Sequence, residues 1–77
     1  MFRFSYEEDK LKAELFSKNL KKIREERELV VEQIALLAGV STASIRSYEA
    51  GTTLPNVKRV LKLANFFDVS LDYFFTE

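Results

Sequence analysis

The sequence contains no cysteine, no histidine and no tryptophan. Without cysteine no disulfide can form, and a zinc site of the usual kind, which needs Cys or His ligands, is excluded as well. The absence of both residue types also removes most of the familiar nucleophiles and acid–base groups of enzymes. No apolar run approaches the ~20 residues that span a membrane, and the N-terminus lacks the apolar core of a signal peptide. We therefore expect a cytoplasmic domain that is not an enzyme and needs neither a metal nor a cofactor.

Chain-breaking residues are scarce as well, with two glycines and one proline among 77 residues. Such sparse punctuation, with many Leu, Lys, Glu and Ala residues, favours helices joined by short turns. The length allows one domain, and the 47% apolar content can support a small core. Charge is balanced at 12 cationic and 12 anionic side chains, with a local positive excess over residues 16–31. The composition thus predicts an all-α fold. The net charge of zero argues neither for nor against a nucleic-acid partner.

The first helix is predicted to begin at Tyr6, because Ser5 and Glu8 have the spacing of a capping box. One stripe then recurs at helical spacing, formed by Phe16, Leu20, Ile23 and Arg27. Leu11 and Leu15 lie about 100–140° away from it around the helix. Either the helix bends or restarts at the start of the stripe, or it is continuous and carries a second apolar face for a partner. A short-strand pattern of alternating apolar residues precedes it, at Phe2, Phe4 and Tyr6.

Two further helices are predicted in the centre of the chain. Residues 29–38 have helical periodicity, and Gly39 ends them because glycine readily takes the positive φ of a helix C-terminus. Ser41 can cap a third helix, Thr42–Ala50, which ends at Gly51. The inward positions of the second helix are predicted to be Ile34, Leu37 and Ala38.

Two capping residues predict the remaining helices. Asn56, directly after Pro55, can cap a fourth helix, and Ser70 can cap a short last one. The apolar positions of the fourth helix are Val57, Val60, Leu61, Ala64 and Phe67. Those of the last helix are Leu71, Phe74 and Phe75. The prediction is an all-α fold of five helices.

The second and third helices form a helix-turn-helix candidate. Ala35 is small where the second helix must cross close to the third, and Gly39 permits the tight turn between them. Val40, Ile45 and Tyr48 anchor the third helix so that its other face points outwards. This spacing alone is a weak signal, because many helical hairpins would match it by chance.

Several fragments that occur in register make the pattern specific. They are Leu20-Lys21-Lys22-Ile23-Arg24, Gln33-Ile34-Ala35, Ala38-Gly39-Val40-Ser41, Ile45-Arg46-Ser47-Tyr48-Glu49-Ala50-Gly51, Pro55, Leu63-Ala64 and Val69-Ser70-Leu71-Asp72. On these fragments, residues 16–75 resemble the phage-repressor and Cro-like (xenobiotic-response-element type) helix-turn-helix family of transcriptional regulators. The resemblance implies a compact five-helix, repressor-like DNA-binding domain over residues 16–77, with residues 1–15 as an N-terminal extension. It also implies that the third helix lies in the major groove of DNA.

The resemblance assigns contacts with base edges to the outward face of the third helix. The implied base-reading residues are Thr42, Ala43, Ser44, Arg46 and Ser47. Phosphate contacts are expected around this helix from Lys18, Lys22, Thr52, Thr53, Lys58 and Arg59. Arg46 could reach either a phosphate or a guanine, and each of these side chains could instead be an ordinary solvated surface group.

Two positions are informative for stability and docking. In the family an ion pair links the first and third helices at Arg24 and Glu49, and we interpret it as structural because no second catalytic group accompanies the carboxylate. Where a capping Ser or Thr followed by Gln is usual, this chain has Val30 and Val31. That departure removes a helix cap and a polar clamp on phosphate, and the valines could instead pack on the N-terminal extension.

A single domain of this kind buries too little surface to find its site in a genome, so a homodimer that reads two half-sites ~34 Å apart is expected. Its interface candidates are surplus apolar side chains, namely Phe66, Tyr73, Phe75, Leu11 and Leu15. Alternatively, two apolar clusters fold onto each other as an enlarged monomer core, one formed by Phe2, Phe4, Tyr6, Leu11 and Leu15 and the other by Phe66, Phe67, Tyr73, Phe74 and Phe75. The leading hypothesis is a small regulator, a repressor, that binds double-stranded DNA sequence-specifically. The alternative is a helix-turn-helix-shaped interaction module, such as an antitoxin or anti-repressor, with a regulatory protein partner.

Overall fold

A computed structural model describes residues 6–77 of the chain, which form four α-helices and one short 3₁₀ helix. The elements are α1 (Tyr6–Glu26), α2 (Val31–Ala38), α3 (Thr42–Ala50), α4 (Val57–Phe67) and the 3₁₀ helix (Leu71–Phe75). No strand occurs in this described part of the chain, and none of its helices is long and apolar enough to cross a membrane. The predicted all-α class is confirmed.

Helix α1 runs without interruption through the start of the predicted stripe. Leu11 is 53% exposed and Leu15 is half-buried, while Phe16 and Leu20 are fully buried on another side of the same helix. The second alternative therefore holds, because one continuous helix carries a second apolar face. The boundary expected between residues 15 and 16 lies inside α1. The strand pattern at Phe2 and Phe4 and the Ser5 cap fall outside the described residues.

The core is built on α1, which packs against α3 and the 3₁₀ helix, while α2 packs against α3 and α4. Phe16 lies at its centre, with the ring of Tyr48 edge-on at 5.4 Å and that of Phe74 at 5.2 Å. The buried cluster comprises Phe16, Leu20, Ile23, Ile34, Val40, Ile45, Tyr48, Val60, Leu63, Ala64, Phe67 and Phe74. As a result, α3 is held by α1 and α2 together.

Some predicted inward positions are wrong. Leu37 is 67% exposed, because the buried face of α2 is centred between Ile34 and Ala35, about 110° away around the helix. In α4 the buried side follows the spacing of Val60, Leu63, Ala64 and Phe67. Val57 and Leu61 lie off this stripe and are exposed. The small Ala35 lets α3 approach α2 on that side, which shifts the buried face away from the leucine.

The last predicted helix is a 3₁₀ helix and not an α-helix. The Tyr73 N–H donates to the Ser70 carbonyl at 3.1 Å, which is the three-residue spacing of a 3₁₀ turn. A five-residue segment is too short to gain much from α-helical bonding. Asn19 of α1 also binds the end of this segment, since its Nδ2 donates to the carbonyls of Phe74 at 2.9 Å and Thr76 at 2.7 Å.

Candidate nucleic-acid interface

Capping fixes both ends of α3. Gly39 ends α2 with a φ of 74°, and its N–H donates to the Ala35 carbonyl at 3.1 Å. The Oγ of Ser41 then accepts the Ser44 N–H at 3.1 Å, which starts α3 after a very short turn. Gly51 ends α3 with a φ of 75°. The tight turn predicted around Gly39 therefore sets the crossing of α2 and α3.

One side of α3 is locked into the core. Ile45 is fully buried, and Tyr48 is 1% exposed with its ring against Phe16. Ala43 lies opposite these anchors, with Ser47 about 40° and Ser44 about 100° from it around the helix. We call these three residues the α3 ridge. Ala43 is exposed and the two serines are half-buried. The ridge consists of small side chains, so a flat or grooved partner can approach the helix backbone closely.

The α3 ridge shares a shallow groove with the segment that leads into α4. Thr53 and Arg59 line this groove together with the ridge and Tyr48. The Nη1 of Arg59 donates to the Tyr48 hydroxyl at 3.2 Å, which keeps a guanidinium beside the ridge. Thr52 is exposed, and its Oγ1 donates to the Ser47 carbonyl at 3.2 Å. Three predicted contact residues outside α3, namely Thr52, Thr53 and Arg59, therefore lie along one flank of it. Exposed Lys58 precedes Arg59 in the first turn of α4.

The other two predicted phosphate contacts are not brought to this groove. Ser17 is on the α3 side of α1, because its Oγ donates to the Glu49 carbonyl. Lys18 and Lys22 follow it by about 100° and 140° around α1, on the side that faces away from α3. Both are exposed. The helix geometry therefore gives no support to the expectation that these lysines flank the ridge.

Arg46 lies beside the ridge on its α2 flank. Its Nη2 donates to the Glu32 Oε2 at 2.5 Å, and both side chains are exposed, at 60% and 61%. The pKa of the Glu32 carboxyl is lowered, first by a hydrogen bond from its own backbone N–H and then by the bond from Arg46. The guanidinium that the sequence assigned to DNA is thus paired with a carboxylate of the same chain. Thr42, the remaining predicted base-reading residue, is half-buried at the start of α3.

The ion pair between α1 and α3 is bidentate. The Nε of Arg24 lies 2.6 Å from Glu49 Oε2, and its Nη2 lies 3.0 Å from Oε1. A third bond runs from Nη1 to the Leu29 carbonyl at 3.0 Å, so one guanidinium joins α1, α3 and the turn before α2. Hydrogen bonding to Glu49 raises the pKa of Arg24. The arrangement is structural, because it fixes α3 from the side opposite to the ridge.

The start of α2 lacks a side-chain cap. Val30 occupies the N-cap position with a φ of −95° and a ψ of 159°, and it is 55% exposed. Gln33 supplies half of a capping box, since its Oε1 accepts the Val30 N–H at 2.8 Å. Val31 is half-buried against the core. The expected loss of the polar cap is therefore partly offset from within the helix.

The predicted interface candidates are divided between the core and the surface. Phe66, Tyr73 and Phe75 are half-buried and pack against the core cluster, and the Phe75 ring stacks on Phe16 at 5.8 Å. Phe75 also lines a groove with Lys12 and Leu15. A second groove shares Lys12 and Phe75 and continues to Leu54, Pro55, Val57, Val60 and Leu71. We call the two together the apolar groove.

Sequence reasoning missed the roles of three residues that hold or flank the site, although it had placed one of them, Arg27, on the stripe of α1. Asn19 is a buried amide that anchors the 3₁₀ helix, and its place in the middle of a long helix next to Leu20 was the available signal. Arg27 donates to the Phe67 carbonyl at 3.0 Å with its guanidinium 5.8 Å from that ring centre. Glu32 gave no signal, because its partner lies 14 residues away in sequence.

Comparison with known proteins agrees with this geometry. A family model described as helix-turn-helix (HTH_3) matches residues 20–74. The chain belongs to the helix-turn-helix family. This family consists of DNA-binding transcriptional regulators and is not a class of enzymes, and the resemblance found from the sequence is confirmed.

Relatives of the chain include transcriptional regulators of Bacillus subtilis and Vibrio cholerae. The chain is 37% identical over 59 residues to the HTH-type transcriptional regulator YqaE of Bacillus subtilis (strain 168), covering 77% of this chain and 51% of YqaE. It is also 37% identical over 57 residues to the cryptic phage CTXphi transcriptional repressor RstR of Vibrio cholerae, covering 74% of this chain and 51% of RstR. The chain thus spans about half the length of the curated relatives it matches.

Solved helix-turn-helix structures have the same fold. A crystal structure of an HTH_3 family transcriptional regulator from Vibrio cholerae superposes with a TM-score of 0.82 at 30% identity, covering 87% of this chain and 38% of that one. The restriction-modification controller protein C.AhdI from Aeromonas hydrophila superposes with a TM-score of 0.77 at 25% identity, covering 82% and 96%. The repressor-like helical architecture predicted from the sequence is therefore confirmed.

Proposed function

We propose that this protein binds double-stranded DNA sequence-specifically, with α3 in the major groove, and represses transcription as a homodimer. The observation that carries the proposal is the α3 ridge, which has an exposed Ala43 and two half-buried serines while Ile45 and Tyr48 hold the helix in the core. An α-helix fits the major groove, where base edges present distinct donor, acceptor and methyl patterns. The similarity of the chain to a transcriptional regulator and to a phage repressor supports the same assignment.

The chemistry of the ridge suggests how bases are read. The methyl groups of Thr42 and Ala43 suit contact with the methyl group of thymine, and the hydroxyls of Ser44 and Ser47 can donate or accept. Because a hydroxyl tolerates several bases, each position contributes little discrimination by itself. Specificity therefore has to accumulate over two half-sites, which is a reason to propose a dimer.

Phosphate contacts would come from the flank that leads into α4. Arg59 is the guanidinium beside the ridge, and Thr53 lines the same groove. Lys58 is exposed next to Arg59, and Thr52 lies at the end of α3. Cations that replace counterions on DNA make affinity fall steeply as salt rises. We therefore expect strong salt dependence from a protein whose net charge is zero.

The test places a negative charge on the ridge. Ala43→Asp is well suited, because an acidic residue in the first turn of α3 is compatible with the helix dipole and keeps the fold intact. Asn65→Asp adds the same charge at an exposed position of α4 and serves as the matched control. Fluorescence anisotropy with a duplex selected from a random pool should show about 100-fold weaker binding for Ala43→Asp and near wild-type binding for the control. Equal binding by both variants would remove α3 from the interface.

The apolar groove is the surface that we propose for the homodimer. Lys12 and Leu15 of α1 line this groove. Leu11, on the same part of α1, is 53% exposed. Leu11→Glu is expected to give a monomer in sedimentation at micromolar concentration. Leu36→Glu, which changes an 83% exposed leucine on α2, should leave the dimer intact. A wild-type protein that is monomeric with and without DNA contradicts this part of the proposal.

A protein-interaction module is the second candidate function. Helix α2 exposes Leu36 by 83% and Leu37 by 67%, and Val30 at its start by 55%. Neighbouring exposed apolar side chains of this kind often mark contacts with other proteins. An absence of any DNA shift at low salt, with fragments from the gene's own neighbourhood, would favour this function over the first.

A further inference from the structure

The ion pair between α2 and α3 lies at the edge of the proposed DNA interface. Arg46 is the one cation in the sequence of α3, and it follows the buried Ile45 by about 100° around the helix. Its bond to Glu32 turns the guanidinium towards α2, to one side of the ridge, while Ser47 lies about 100° further around α3. The partner carboxylate of Glu32 belongs to the first turn of α2. With Arg59 on the opposite flank, the ridge has one guanidinium on each side.

The position of Arg46 favours phosphate over base edges as its DNA ligand. When a helix enters the major groove, its crest meets the bases and its flanks face the two walls of phosphates. A guanidinium binds carboxylate and phosphate with the same fork of N–H donors, so the two anions compete for it. The pair is about 60% exposed on both sides, so it is weak enough to open when a phosphate approaches.

We propose that Glu32 is a built-in competitor for DNA, whose carboxylate occupies Arg46 in the free protein and must be displaced when the guanidinium binds a backbone phosphate. This inference rests on the proposed function, since it names a regulating residue of the same interface. Glu32 lowers affinity in two ways: it withholds a phosphate contact, and it leaves a carboxylate close to the DNA backbone. Both effects reduce attraction to any duplex and so limit binding that depends on charge alone.

The decisive variant is Glu32→Gln, which keeps the size of the side chain and removes its charge. We expect this variant to bind a random-sequence duplex about two- to fivefold more tightly at low salt, the range that an exposed ion pair can contribute. The logarithm of its binding constant should fall more steeply with the logarithm of salt concentration, by up to about 0.9, because Arg46 stays on Glu32 in part of the wild-type complexes and is free to neutralise a phosphate in all complexes of the variant. Glu26→Gln, which removes one exposed carboxylate from α1, is the matched control for net charge.

A double-mutant cycle assigns the effect to the pair. In an Arg46→Gln background, Glu32→Gln should bring a clearly smaller gain in affinity than in the wild-type background, because only the repulsion between the carboxylate and DNA remains to be relieved. Unchanged or weaker binding by Glu32→Gln in the wild-type background overturns the competition, as does an equal gain in both backgrounds. A wild-type protein that binds no duplex at low salt overturns the proposed function and this inference together. If the wild-type protein binds DNA and Glu32→Gln binds it with the same affinity, this inference alone is overturned.

Discussion

Removal of one partner of the Arg24–Glu49 ion pair is expected to destabilise the fold strongly. The side chains are 18% and 9% exposed, so Glu49→Ala would leave a largely buried guanidinium with only the Leu29 carbonyl as its recorded partner. One-sided loss of a buried pair typically costs ~3–5 kcal/mol, and the partial exposure of Arg24 favours the lower end, about 3 kcal/mol. In a domain of this size 1 kcal/mol corresponds to ~4–8 °C, so the melting temperature should fall by about 12–24 °C.

Thermal unfolding followed by far-ultraviolet circular dichroism measures this loss. Glu26→Ala, at an exposed position of α1, is the control and should stay within about 0.5 kcal/mol of wild type. The double variant Arg24→Met/Glu49→Leu should recover most of the stability, because no buried charge remains unpaired. Because the bond to Glu49 raises the pKa of Arg24 above its already high ordinary value, the contribution of the pair is fully present at neutral pH, and the deficit should not vary there. A melting curve for Glu49→Ala that matches wild type would refute the reasoning.

Three further outcomes are expected. Val30→Thr should raise the free energy of unfolding by about 0.5–1 kcal/mol, since the backbone of Val30 already has N-cap geometry; no gain in urea unfolding would contradict a missing cap. Gly39→Ala should lower the free energy of unfolding by about 1–2 kcal/mol through backbone strain at a φ of 74°, and not through a clash, since the added Cβ would meet only Lys62 Nζ, at 4.0 Å. Gly39→Asn should lose less stability, and equal losses by the two variants would point to a steric clash. Carbon-detected NMR titration should show the lowered pKa of Glu32 rising in Arg46→Gln but staying below its ordinary value, because the backbone bond is its larger cause. Because the pKa of Glu32 is lowered, the stabilising contribution of its carboxylate is present at neutral pH and is lost as the pH falls through that pKa. An unchanged titration of Glu32 in Arg46→Gln would show that Arg46 does not lower this pKa.

The elements with strong local signals could be predicted from the sequence. Helix α3 was predicted with its observed ends because Ser41, Gly39 and Gly51 fix them through capping and positive φ. The start of α2 was placed two residues too early, because the preceding turn takes its positive φ at Glu28 and not at a glycine. Asp68 ends α4 in the same left-handed conformation. Packing of the surrounding helices stabilises these turns, so no residue type in the sequence predicts them.

Side-chain positions that depend on a neighbouring helix were harder to predict. Helical periodicity gives the relative angle of two residues but not which of two apolar sides faces the core. Leu37 was predicted to face the core but is exposed, and Leu63 was left out of the apolar stripe of α4 but is fully buried. The Arg46–Glu32 pair and the Asn19 bonds join residues that are far apart in sequence. The predicted ridge on α3 needed no such information, because its buried anchors Ile45 and Tyr48 already define the opposite side.

The bonds of α1 also bear on how the chain folds during synthesis. The bond of Arg24 to Glu49 can form only after a further 25 residues have been made, and the two bonds of Asn19 need carbonyls that lie 55 and 57 residues downstream. Helix α1 is therefore made before the four other described helices but is the last to be enclosed, and its apolar stripe stays partly uncovered until the 3₁₀ helix has emerged. Closure over such separations is entropically costly and slow compared with helix formation. A nascent chain halted before Phe74 should accordingly hold α1 in a form that chaperones and proteases can reach.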